Sequence, residues 1–307
     1  MTGPHHGHGG HGHTHAPASF GVAFAVGTVL NAGFVVIEAI CGVLAHSMAL
    51  IADAGHNLGD VLGLLMAWAA AVLARRNPTP RYTYGLGRGT ILAALLNAGL
   101  LLMAVGAIAV EAVRRLLHPA PIGTLTVMVI AAIGIAVNGG TALLFAAGRR
   151  GDLNLRTTFL HMAGDALISI GVVATAAAIL LTGWLRLDPL VSLAIAGAIL
   201  AGTWSTLREA FDLSMDAVPP GISAEAVRAY FAGLPGVART HDLHIWPMST
   251  TRTALTVHLV MPGRHPGDRF IAEVCHELGD RFGIGHATLQ IELDEGVVCA
   301  LEPDHVI

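Results

Sequence analysis

Six long apolar runs separated by short polar breaks occupy the chain up to residue 211, at 20–44, 48–74, 90–113, 123–147, 157–182 and 189–211. At 1.5 Å per residue each makes a helix on the order of 30 Å long, the thickness of a bilayer's hydrocarbon core. The breaks have the chemistry of helix ends. Ala45-His46-Ser47 suits a tight turn, while Arg75-Arg76-Asn77-Pro78-Thr79-Pro80-Arg81 and His118-Pro119-Ala120-Pro121 are Pro-rich loops in which a helix cannot continue. Gly148-Arg149-Arg150-Gly151-Asp152 parts the fourth run from the fifth, and Asp188-Pro189 opens the sixth.

From about Leu213 the pattern changes to short alternating segments. Ser223–Ala232 predicts a helix, with Ser223 as N-cap and Glu225 in its first turn. Val237–Met248 and Thr253–Met261 alternate like strands, Pro266–Phe282 has helical periodicity, and Ala287–Leu293 alternates again. The order helix–strand–strand–helix–strand predicts an α+β sandwich with both helices on one face of the sheet.

Composition agrees with a membrane protein. Only 12% of residues are charged and 54% are hydrophobic, with a mean hydropathy of +0.65, whereas soluble domains carry about 25% charged residues. The net charge of −4 is uninformative, because topology follows the placement of basic residues. All 17 basic residues are Arg. Arg75, Arg76, Arg81, Arg88, Arg149, Arg150, Arg156 and Arg208 fall on one side of the six-helix plan and Arg114, Arg115 and Arg186 on the other. The positive-inside rule then puts both termini and the C-terminal domain in the cytoplasm of a protein of the cell membrane. Cys41, Cys275 and Cys299 form no C-x-x-C pair and predict packed or free thiols.

Residues 1–19 predict a disordered leader, not a signal peptide, since they lack both a basic start and an apolar core. They hold His5, His6, His8, His11, His13 and His15, a tract suited to capturing zinc, nickel or copper.

Ionisable residues inside apolar helices are costly and therefore functional candidates. In Ser47–Asp60, His56 and Asp60 stand four apart and share a helix face; the fifth run repeats the spacing with His161 and Asp165. Two imidazoles and two carboxylates form a ligand set without net charge around Zn²⁺, and protons compete with metal for the same groups. Asp53 lies on the same broad face as His56 and is either a further participant, a proton relay or packing polarity. Asn31, Glu38, Asn97 and Asn138 read as interhelical hydrogen-bonding groups or lining of a water path.

The segments SMALIADAGHNLGD (Ser47–Asp60), YTYGLGR (Tyr82–Arg88), LHMAGDALIS (Leu160–Ser169), Asp188-Pro189 and HDLHIW (His241–Trp246) together resemble the cation diffusion facilitator family over nearly the whole chain after residue 19. The resemblance implies a homodimeric antiporter exchanging a divalent cation for protons across the bilayer, with His56, Asp60, His161 and Asp165 as the transport site. It also implies a zinc preference, with cadmium, cobalt or nickel as further cargo. The implied plan is a six-helix transport domain at 20–212 and a ferredoxin-like cytoplasmic dimerisation and metal-sensing domain at 213–307. There, His241, His258, His286 and Glu292 match positions that often bind zinc. His258, His286 and Glu292 have the strand parity that faces away from the helices, but His241 shares parity with Leu243 and Ile245. Either a bulge turns His241 to that face or His244 takes its place. The loop RRNPTPRYTYGLGR contains neither Asp nor His, so no metal site is expected in it. His265, Cys275, His276 and His305 read as surface residues, with a tail site through Cys299 as the weaker option.

The expectation is therefore an exporter of Zn²⁺ working by alternating access, not an enzyme, with no organic cofactor and no nucleic-acid partner. The alternative is a membrane-bound metal sensor that binds zinc without moving it. A channel fits less well, because four strong ligands trap an ion. A zinc hydrolase would need an open coordination position.

Overall fold

The computed structural model describes residues 20–146, 153–294, 296 and 299–301. The His-rich leader, Arg149, Arg150 and His305 lie outside the described residues. Six long helices come first: α1 (Phe20–Leu44), α2 (Met48–Ala74), α3 (Gly89–Leu117), α4 (Thr124–Ala146), α5 (Leu153–Thr182) and α6 (Leu187–Ser214). Within them Met48–Ala74, Gly89–Leu117, Thr124–Leu143, Phe159–Thr182 and Leu187–Ser214 are each long and apolar enough to cross a membrane, and α1 contributes the shorter apolar stretch Asn31–Leu44. Large apolar side chains such as Trp68 and Leu181 point outward, 68% and 85% exposed. A water-soluble fold would bury many of them; lipid solvates them.

The helices and the C-terminal domain divide into two compact units, with the divisions falling inside α2 after Asn57 and inside α6 after Asp188. The first unit contains α1, the start of α2, α4 and α5. In it α4 packs along α5, and α1 packs on α4. The turn from α1 to α2 places His46 at φ 52, and the chain then enters α2 at a buried helix start. Ser47 caps it, its Oγ accepting from the Leu50 N–H at 3.2 Å. The Asp188 carboxylate accepts from the Ser47 hydroxyl at 2.5 Å and from the backbone N–H groups of Met48 and Ala49 at 2.6 and 3.4 Å. A buried helix start leaves its first N–H groups without partners, and this carboxylate meets that need while complementing the helix dipole.

The second unit holds the rest of α2, α3, most of α6 and the C-terminal domain. Ile91, Ala98, Val105 and Ala112 are the buried positions of α3, seven residues apart and so on one stripe. Gly63 admits the Asn97 side chain, whose Nδ2 lies 2.7 Å from where a Cβ would stand.

The C-terminal domain has the expected order: α7 (Ala224–Ala232), β1 (Arg239–Pro247), β2 (Thr253–Val260), α8 (Asp268–Phe282) and β3 (Ile284–Glu292). Ser223 caps α7, accepting from the Ala226 N–H at 3.1 Å. Gly283, at φ 70, ends α8 in the left-handed conformation and releases the chain into β3. The sheet order is β1-β2-β3, with β1/β2 antiparallel and β2/β3 parallel. Val227, Phe231, Val274 and Leu278 of the helices meet Leu255, Val257 and Leu259 of β2 in the core.

Residues 82–90, before and into α3, lie against this domain. Thr90 Oγ1 accepts from the Thr250 N–H at 3.0 Å, the Arg88 guanidinium pairs with the Asp216 carboxylate, and the Tyr84 ring meets the His286 ring edge-on at 5.6 Å. A Cβ on Gly87 would stand 2.7 Å from the Met248 carbonyl oxygen, whereas one on Gly89 would meet nothing within 4 Å.

Two outcomes follow. Asp188→Ala strands the donors at the start of α2 and should destabilise the protein by about 3 kcal/mol, read by denaturant unfolding in detergent micelles. Gly87→Ala should free the loop, making Arg81 and Arg88 several-fold more sensitive to trypsin; Gly89→Ala should leave the cleavage rate unchanged.

Candidate metal centres

The α2 and α5 helices bring their imidazoles to one carboxylate. His56 Nε2 lies 3.3 Å from Asp165 Oδ1, and His161 Nε2 lies 3.8 Å from Asp165 Oδ2. The two rings meet edge-on with centroids 6.0 Å apart. The Asp165 side chain is 3% exposed, against 18% for His56 and 41% for His161. Asp60 stands one turn further along α2 on the face that carries His56. Imidazole nitrogens at this distance from a carboxylate match a set of donors that metal or protons can occupy in turn.

A polar layer lies beside these residues in the first unit. Asn57 donates from Nδ2 to Glu38 Oε2 at 3.3 Å, and Ser169 Oγ donates to Asp53 Oδ2 at 2.9 Å. Glu38, Asp53, Asn57 and Ser169 are fully buried. Asp53 of α2 is thus tied to α5 through Ser169, and Asn57 of α2 to α1 through Glu38.

The second cluster lies in the C-terminal domain. Glu292 bridges two imidazoles, its Oε2 lying 3.0 Å from His241 Nε2 and its Oε1 3.0 Å from His258 Nδ1. Both histidines are buried. Their opposite nitrogens are also engaged: His241 Nδ1 lies 3.4 Å from the Leu301 carbonyl, and His258 Nε2 lies 3.4 Å from Asp242 Oδ2. Gln290 Nε2 donates to Glu292 Oε1 at 3.2 Å. Burial pushes the Glu292 carboxyl up, but the hydrogen bond and charge of His241, with hydrogen bonds from Cys299 and Gln290, outweigh it and hold the group below the usual carboxylate range.

The ambiguity over His241 is resolved by the strand. His241 pairs with His258 and His244 with Thr256, so two residues of β1, Asp242 and Leu243, oppose one of β2. Asp242 takes φ 50 at this bulge. The extra residue reverses the parity and turns His241 to the face of His258. His244 remains half-exposed and meets Asp242 Oδ1 at 2.9 Å.

His286 does not join the cluster. In the parallel register His286 lies opposite Ala254, and Gln290 lies opposite His258. It shares the parity of Glu292 but is six residues away along β3, about 20 Å at the rise of a strand. Parity identifies a face, not a position along it. Cys299 does approach the cluster: its Sγ lies 3.7 Å from His258 Nδ1. In the sequence it stands out only as a thiol a few residues past the last strand.

Residues 24–213 match the cation efflux transmembrane domain and residues 219–294 match the cytoplasmic domain of cation efflux proteins. The chain is similar to the cadmium, cobalt and zinc/H(+)-K(+) antiporter of Bacillus velezensis, with 32% identity covering 96% of this chain and 97% of that one. It is also similar to the zinc transporter ZitB of Escherichia coli, with 35% identity covering 86% and 84%. Among solved structures, the metal-bound C-terminal domain of the CzcD transporter from Cupriavidus metallidurans matches at 36% identity and a TM-score of 0.22, covering 24% of this chain and all of that one. The chain therefore belongs to the cation efflux family and is a multi-pass membrane transporter of metal cations, not an enzyme.

Proposed function

We propose that the protein exports Zn²⁺ from the cytoplasm in exchange for protons, with His56, Asp60, His161 and Asp165 as the transport site. The observation that carries this reading is the meeting of His56 and His161 at Asp165 in apolar helices. Two carboxylates and two neutral imidazoles around Zn²⁺ make a neutral site, which a low-dielectric interior tolerates. Departure of the metal leaves buried anions, whose cost falls when protons take its place. Imidazole exchanges protons near neutral pH, so metal entry and proton exit become one equilibrium. Movement of the ligand-bearing helices then opens the site to each side in turn. The names of the relatives, a zinc/H(+)-K(+) antiporter and a zinc transporter, agree with this cargo.

In this reading both termini face the cytoplasm, on the arginine asymmetry, and residues 213–307 form a domain that pairs two copies of the chain. His241, His258 and Glu292 hold a regulatory metal there; His286 is left out of the set. Metal bound at this cluster favours the transport-ready arrangement by binding it more tightly than the alternative.

Proteoliposomes with an imposed proton gradient test the central claim. Wild type should accumulate zinc, and Asp165→Ala should lower the initial rate at least ~10-fold, since one carboxylate serves both imidazoles. Zinc bound tightly by wild type without gradient-driven flux would mark a sensor instead. Zinc affinity should also fall with falling pH, by about one log unit of Kd per pH unit for each proton displaced. Titration calorimetry in buffers of different ionisation enthalpy should count those protons, and a pH-independent Kd would exclude exchange at these ligands.

A further inference from the structure

Beyond β3 the chain returns to the cytoplasmic cluster. Cys299 Sγ, one nitrogen each of His241 and His258 and one Glu292 oxygen all lie within 4.8 Å of one another. A tetrahedral ion with bonds of about 2.0–2.3 Å separates its ligands by about 3.3–3.8 Å. Small rotations of the four side chains therefore suffice to close the shell.

We propose that Cys299 is the fourth ligand of the cytoplasmic site, making it a closed two-His, one-Glu, one-Cys centre for a thiophilic divalent cation, zinc or cadmium. The proposal rests on the reading of that cluster as a metal site. Three arguments carry it beyond proximity.

The first is charge. Two neutral imidazoles and Glu292 leave a divalent ion with one positive charge uncompensated, and a thiolate brings the buried set to zero. The second is orientation. With a metal at the cluster, the Leu301 carbonyl, 3.4 Å from His241 Nδ1, and the Asp242 carboxylate, 3.4 Å from His258 Nε2, can accept the protons of those nitrogens. His241 Nε2 and His258 Nδ1 are thereby left as acceptors on the side of Glu292 and Cys299. Residues 299–301 thus supply both a donor atom and the group that orients one of its partners. The third is the chemistry of sulfur, which favours zinc and cadmium over magnesium or manganese and leaves no open position for catalysis. Cys275 is a poor competitor, because burial pushes its thiol up.

The test uses the full-length protein in detergent micelles, loaded with Cd²⁺ and then with Co²⁺. A thiolate-to-metal charge-transfer band reports sulfur ligation directly. His56, Asp60, His161 and Asp165 offer no sulfur, so metal at the membrane site adds nothing to it. Wild type should show the band; Cys299→Ser should lose it and weaken cadmium binding at this site by about 10–100-fold. Cys41→Ser and Cys275→Ser should keep it. His258→Ala should also diminish the band, because it removes the nitrogen nearest the sulfur, and circular dichroism on each variant identifies a folded protein. Absence of the band in folded wild type, or its survival in Cys299→Ser, overturns the proposal. Gradient-driven zinc flux is measured separately: its absence with the band intact refutes the transport reading and leaves this one standing.

Discussion

The cost of placing ionisable groups in an apolar interior governs this protein. A carboxylate or imidazole among membrane-spanning helices is tolerated only with a partner, a proton or a metal. The first unit uses the available remedies side by side. Asp188 takes the N–H groups of a helix start. Asp53 is hydrogen-bonded by Ser169, and Glu38 by Asn57. Asp165 receives two imidazoles from two helices. Asp188 holds backbone N–H groups of a helix start, whereas Asp165 meets imidazoles, whose place another partner can take. That separates a structural acid such as Asp188 from one suited to cargo.

The cluster in the C-terminal domain follows the same logic in a different scaffold. Glu292 bridges two histidines whose far nitrogens are held by a carbonyl and by a carboxylate. The bulge at Asp242 and Leu243 achieves this with a single extra residue. It turns His241 toward His258 and places the Asp242 carboxylate behind it. Cross-strand pairing then fixes the distance between the imidazoles, which loop residues would leave free. His286, left outside the cluster, instead meets Tyr84 of the segment before α3.

Much of this was legible in the residue pattern. The apolar runs set the six helices because burying an unpaired backbone in lipid is prohibitive, so any such run must be helical. Ser223 marked a helix start and Ala45-His46-Ser47 a tight turn, through chemistry that acts within a few residues. The H-x-x-x-D spacing put His56 with Asp60 and His161 with Asp165 on helix faces, because helical periodicity is local.

Sequence alone therefore determined what depends on neighbours along the chain: the helices, the caps, the alternation of the strands and the types of ligand available. Tertiary structure decided which residues meet. It made Asp165 the acid that His56 and His161 share, sent the Asp188 carboxylate to the start of α2, brought Cys299 to the cluster of the C-terminal domain and kept His286 out of it. The physical reason is that strand register, bulges and tail paths are set by packing between segments distant in sequence. A periodic pattern reports the face on which a side chain stands, but not the partner that stands opposite.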